Sequence, residues 1–283
     1  MNESQRQTKS PGNDMKQNHG TRPWATVMLA GVLAMGCGAS QPPPDTEASA
    51  DAQESGPTLL PIVAKSIEFH GGELYEHAVV SLTISSLSGS FEVVSRRQGT
   101  GFDYTITGMV GRDQPVERKV HYTNDTLEQW DDGVAVDLDE ETARRARANV
   151  DARVFFPFLP YTLKGGDIHF EDQGLETWDD RSLQRVKVTF APDTSNDADD
   201  AYLFWFDPDT GRVEQFGYDF NGGIRFRKAT SFTRVGGILF STQENYAVDG
   251  GRVPVDTLTP EYVAEEMELL SIVELSDIDV TPL

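Results

Sequence analysis

Residues 202–220, YLFWFDPDTGRVEQFGYDF, set the hardest condition on the fold of this chain. Asp207-Pro208-Asp209-Thr210-Gly211 reads as a turn, because proline holds φ near about −65° and glycine takes the positive φ needed to re-enter a strand. With Asp207 opposite Arg212, Phe206 faces Val213, Trp205 faces Glu214 and Leu203 faces Phe216. That register puts Tyr202, Phe204, Phe206 and Val213 on one face. Leu203, Trp205, Phe216 and Tyr218 fall on the other, with Phe220 beyond. A large aromatic side chain carries roughly 150–250 Å². Either face therefore exceeds what a soluble monomer leaves bare. Both need cover, from a helix, a second sheet or a ligand.

The rest of the chain supplies strands and few helices. Period-two alternation runs through Val80–Ile84, Phe91–Arg97, Phe102–Met109, Val116–Thr123, Thr126–Trp130 and Val134–Leu138, with Gly- and Asp-rich turns between. It resumes at about 168–178, 183–190, 201–207, 212–220, 223–233 and 237–248, and Asn221-Gly222 is a strong hairpin signal. Leu59 to Gly72 reads as a helix ending at His70-Gly71-Gly72. Residues 139–151 read as a second, capped by Asp139, with a thin apolar stripe of Ala143, Ala146 and Val150. FFPFLPYTL, residues 155–163, is an apolar loop fixed by two prolines. Thr259-Pro260-Glu261 opens a third helix, and Leu269 to Val280 suits a final strand. The expected fold is mainly β within the α+β class: a large curved antiparallel sheet of about eleven strands, an unclosed barrel, packed on a few helices.

The N-terminus points to export. Lys16 and Arg22 precede the apolar run Trp24–Gly36, which is too short to span a bilayer and suits a signal peptide. It ends in Leu33-Ala34-Met35-Gly36-Cys37, which resembles the lipobox of bacterial lipoproteins, although Leu33 stands one place earlier than usual. The resemblance implies lipid attachment at Cys37, the only cysteine. By resemblance to enterobacterial sorting rules, Gly38 after the cysteine favours the outer membrane. The expected organisation is a lipoprotein signal peptide over residues 1–36, with translation starting at Met15, then a disordered tether over 37–58 and a single domain over 59–283. The formal net charge is −22. Residues 1–36 hold four Lys/Arg and two Asp/Glu, so the remainder carries −24. Such a surface excludes a nucleic-acid partner and is a poor match for anionic headgroups on average.

Catalytic signatures are missing. There is no G-x-S-x-G, no H-x-x-x-H, no C-x-x-C and no glycine-rich phosphate loop. Asp207-x-Asp209-x-Gly211 has the start of a calcium loop without its later ligands. No catalytic residue, metal or cofactor is expected. The hairpin is followed by RFRKATSFTRVGGILFSTQENYAV, residues 225–248, and preceded by His70-Gly71-Gly72 and the Phe-Pro-rich middle segment. Together these resemble the lipoprotein-carrier superfamily of LolA and LolB and, more closely, a bacterial lipoprotein family of unknown function. The resemblance implies a half-barrel around an apolar cavity that shelters acyl chains. The residues expected near such a cavity are Phe155, Phe156, Phe158, Tyr161, Trp205, Phe216, Tyr218 and Phe220. Beside an enzyme acting through dispersed carboxylates, which sequence cannot pair in space, two readings stay open. One is an envelope protein, anchored to the membrane by its N-terminal lipid, that binds a lipid or acyl chain without catalysis. The other is a protein–protein interaction module whose core is filled by its own side chains.

Overall fold

The computed structural model describes residues 59–164, 168–190, 201–220, 223–248 and 253–283. Cys37, the signal peptide, the tether, the acidic stretch over residues 193–200 and the Asn221-Gly222 turn lie outside them.

Thirteen antiparallel strands form one sheet, two more than expected. Ala78–Ser86 (β1), Gly89–Gln98 (β2), Gly101–Val110 (β3), Val116–Thr123 (β4), Leu127–Asp131 (β5) and Val134–Ala135 (β6) make the first meander. Ile168–Trp178 (β7), Arg181–Phe190 (β8), Ala201–Phe206 (β9), Val213–Phe220 (β10), Gly223–Val235 (β11) and Ile238–Ala247 (β12) make the second. The last strand, Glu268–Pro282 (β13), joins them: its first residues pair with β12 and its later ones with β1. The order runs from β6 through β1, β13 and β12 to β7, so neither end strand closes on the other.

Among the described residues three α-helices accompany the sheet: Pro61–His70 (α1), Glu140–Phe155 (α2) and Pro260–Glu266 (α3). Asp139 caps α2 by accepting from the Thr142 amide at 2.8 Å, as its sequence predicts. The helix runs four residues further than the charge pattern alone suggests. Ala146, Val150 and Val154, one turn apart, are its buried stripe. It then gives way to the Phe-Pro segment, where Leu159–Pro160 is cis and Tyr161–Lys164 makes one 3-10 turn.

The sheet bends around α2. Arg153 lies over the Phe91 ring of β2, and Phe156, about 4.5 Å along the helix, stacks on Phe216 of β10. Those strands are five places apart in the sheet, about 24 Å if it were flat. Only a strongly curved sheet brings both to one turn of helix.

The hairpin register differs from the expected one beyond Val213. Gln215, not Glu214, stands opposite Trp205, so Phe216 pairs with Phe204 and Tyr218 with Tyr202. The extra residue is a bulge at Glu214, and it moves every later side chain of β10 to the other face. Phe216 and Tyr218 therefore join Tyr202, Phe204 and Phe206 on the concave side, in stacked pairs at 5.6 Å and 5.4 Å. Leu203 and Trp205 keep the convex face. Residues Val255, Leu258 and Met267 of the C-terminal segment cover them there, with Trp178, Leu183, Ile224 and Phe226. Both aromatic faces are thus covered by the chain itself.

Candidate functional site

Helix α2 crosses the concave face with space on either side. Between it and β2–β5 lies a cleft of about 460 Å³. Its walls are Phe91, Ile106, Val110 and Val120 from the sheet and Ala146 and Val150 from the helix, with Arg118, Gln129, Thr142, Arg145, Asn149 and Arg153 around them. Beyond the helix lies a second cleft of about 320 Å³. Ile84, Val273, Leu275, Phe156, Pro157 and Tyr218 form its apolar walls. Ser86, Ser88, Ser241, Gln243, Arg153 and Arg227 are among its polar ones. Phe91, Asn149 and Arg153 line both.

Phe91 owes its position to the residue opposite. It pairs with Gly108, where a Cβ would stand 2.4 Å from the ring. With none there, the ring lies down on the sheet and presents its face to the Arg153 guanidinium, 3.8 Å above. Arg153 also donates through Nη1 to the Asn149 carbonyl at 2.8 Å. Burial holds this guanidinium below the ordinary arginine range. Arg227 lies 4.3 Å over Phe156 and donates to Tyr218 Oη at 3.2 Å. Arg118 is fastened by two hydrogen bonds to Asp131, at 2.8 and 2.6 Å, which raise its pKa. On α2, burial pushes the Asp151 carboxyl up to about 6.

The expected cavity residues separate into three groups. Phe156 and Tyr218 line the smaller cleft. Phe155, Phe158, Tyr161 and Phe216 are on the same side of the sheet but serve mainly as packing. Phe155 meets Phe190 and Tyr202, Phe158 meets Tyr75, and Phe216 lies between Phe204 and Phe156. Tyr161 stacks on Tyr75 at 4.7 Å and donates to Glu76 at 2.7 Å. Trp205 is the correction. It is fully buried on the convex face, against Trp178 and Phe226, with its indole N–H given to Glu176. Strand alternation places it there, opposite in sense to Phe204 and Phe206. Of Phe220 only the backbone pairing with Gly223 is described.

Phe91, Ile106, Val120, Arg153 and Arg227 were not singled out from the sequence. The signal available was the thin alanine stripe of α2, which marks a helix that cannot fill the space beneath it. The Asp207 loop is a hairpin turn: its Oδ1 accepts from the amides of Asp209 and Thr210, and its Oδ2 pairs with Arg181. Among the described residues no group of three His, Cys, Asp or Glu side chains could hold a metal.

The model of one family, described as a family of unknown function (DUF6503), matches residues 62–275. The chain belongs to that family. No curated protein matches it. Among solved structures it is similar to a LolA superfamily protein from Nitrosomonas europaea, at 14% identity and a TM-score of 0.46, covering 78% of this chain and 93% of that one. A DUF1329 family protein from Desulfovibrio piger is similar at 11% identity and a TM-score of 0.43, with 77% and 91% covered. LprF from Mycobacterium bovis is similar at 13% identity and a TM-score of 0.29, with 71% and 98% covered.

Proposed function

We propose that this DUF6503 protein is an envelope lipoprotein, anchored through Cys37, that binds a lipid or acyl chain in the clefts beside α2 without transforming it. The observation that carries the reading is the cleft of about 460 Å³ walled by Phe91, Ile106, Val110, Val120, Ala146 and Val150. Its size falls within the range of small-molecule sites, and such sites are mostly apolar with a few convergent polar groups. Each methylene taken from water there contributes about 0.8 kcal/mol. The lipobox-like Leu33–Cys37 stretch supports the anchor, and Gly38 supports the outer membrane as its destination.

A second reading, an envelope protein-interaction module, draws on the Phe-Pro segment. Phe158, Leu159, Tyr161 and Leu163 are buried in the core and fill the interior around them.

Native mass spectrometry of the protein extracted from its own membrane separates the two. The expected result is a diacyl or triacyl mass on the N-terminal peptide and a bound lipid that survives transfer. A protein that carries no lipid, and that takes up no fluorescent fatty acid when offered one, overturns the first reading.

A further inference from the structure

The chain holds 46 Asp and Glu against 24 Lys and Arg, yet among the described residues no Asp or Glu lines either cleft, and four arginines do. Two of the four already have a carboxylate partner: Arg118 in Asp131, and Arg145 in Glu141, 3.4 Å away and shared with Arg144. Arg153 and Arg227 have no carboxylate within ion-pair distance among the described residues. Both lie over aromatic rings, at 3.8 Å from Phe91 and 4.3 Å from Phe156, and both line the 320 Å³ cleft. Arg227 keeps its Nε buried with no acceptor, while its other nitrogens reach Tyr218 Oη and Gln243 Oε1. A partly desolvated guanidinium costs free energy unless an anion meets it. Two such groups in one cleft of a strongly acidic protein make an anion receptor, with serine hydroxyls beside them as further donors.

We propose that the smaller cleft receives the anionic headgroup, carboxylate or phosphate, of a single-chain amphiphile. The acyl chain lies in the larger cleft, across the Phe91–Arg153 wall that the two share. This rests on the lipid-binding reading above and narrows it to one charge class. A fixed guanidinium pair discriminates by charge, whereas the apolar walls discriminate by length alone.

The test uses the full-length chain and a matched pair of probes, cis-parinaric acid and its methyl ester, titrated by fluorescence at a pH where the acid is ionised. The acid is expected to bind about tenfold more tightly or better, the equivalent of one charge-assisted hydrogen bond. Arg227→Gln, which lines the smaller cleft alone, is expected to weaken the acid more than the ester, and Arg153→Gln with Arg227→Gln to make the two bind alike. An unchanged urea midpoint certifies the fold of each variant. If the double variant loses both probes, Arg227→Gln alone carries the comparison. A monoacyl phosphate is expected to displace the acid, and inorganic phosphate in millimolar excess is not. Equal binding of acid and ester overturns the headgroup proposal and leaves the lipid reading standing. Displacement by inorganic phosphate as readily as by the monoacyl phosphate overturns the amphiphile. Binding of neither probe sinks both.

Discussion

The two halves of the sheet use different side chains against their cover and reach different outcomes. Around β9 the chain presents Phe204, Trp205 and Phe206, each fully buried, and both sides are sealed there. Phe156 and its neighbours close the concave side, and Leu258 closes the convex one so tightly that a Cβ on Gly217 would stand 2.0 Å from it. Across β2–β5 the cover is α2, whose stripe is Ala146, Val150 and Val154, and a cleft remains. Large rings therefore do not mark the hollow by themselves: Phe91, Phe156 and Tyr218 line it, whereas Phe204, Trp205 and Phe206 do not. The last three carry enough volume to fill whatever they face. A hollow persists where a helix of short side chains spans a wide curved sheet and cannot settle onto it.

Breaking the sealed half should have the largest effect. Trp205→Ala removes a ring packed between Trp178 and Phe226 and one of the donors to the Glu176 carboxylate. Loss of stability on the order of 3–5 kcal/mol is expected in urea unfolding. Uptake of a fatty-acid probe by the folded fraction should not change. A cost below about 1 kcal/mol would mean that this face is not sealed.

The same half carries a pH dependence. Burial of His70, with its Nδ1 donating to the Ser66 carbonyl at 2.9 Å, lowers its pKa from 6.5 to about 4. The unfolded chain then binds the proton first, so stability is complete above about pH 6.5 and falls as pH drops towards 4. The loss should reach on the order of 2–3 kcal/mol. Denaturant midpoints at neutral and acid pH measure it, and His70→Asn should flatten that slope.

How far the sequence led differs between the halves for the same reason. Alternation, turns and caps located the meanders, the start of α2 at Asp139 and the final strand, because each is written in local spacing. The face assignment of Phe216 and Tyr218 was not legible, since one bulged residue at Glu214 reverses it and bulges leave no strong local mark. The clefts were hidden for another reason. Ile84, Ile106, Val120 and Val273 look like any core residues, and only the curvature that sets Arg153 and Arg227 in one cleft distinguishes them. Trp205 was misplaced through its size: bulk suggested a lining residue, when it fills its own side completely.

On the open half, Asp151 should give a smaller effect of opposite sign. Burial raises its pKa from 3.8 to about 6. The folded state then keeps a proton that the unfolded chain has released, so this group's contribution worsens as pH rises from about 4 to 6 and stays unfavourable above. Asp151→Asn should stabilise by on the order of 1 kcal/mol near about pH 8, after allowance for solvent screening, and by nothing near about pH 3.5. A gain that is the same at both values would point to packing instead of charge.

The smallest change in stability, and the sharpest test of the comparison, comes from filling the larger cleft. Ala146 is 5% exposed and forms part of its wall. Ala146→Phe gives α2 the bulk that the aromatic hairpin already has. If the space is a real hollow, the ring enters it and the unfolding midpoint moves little, by under about 1 kcal/mol in either direction. If the space closes in solution, the added ring overpacks it and costs about 1–3 kcal/mol. Probe uptake should respond in the reverse sense to Trp205→Ala: lost in Ala146→Phe, kept in the tryptophan variant. Retained uptake with Ala146→Phe would show that the acyl chain lies elsewhere, and that the difference between the halves is one of packing alone.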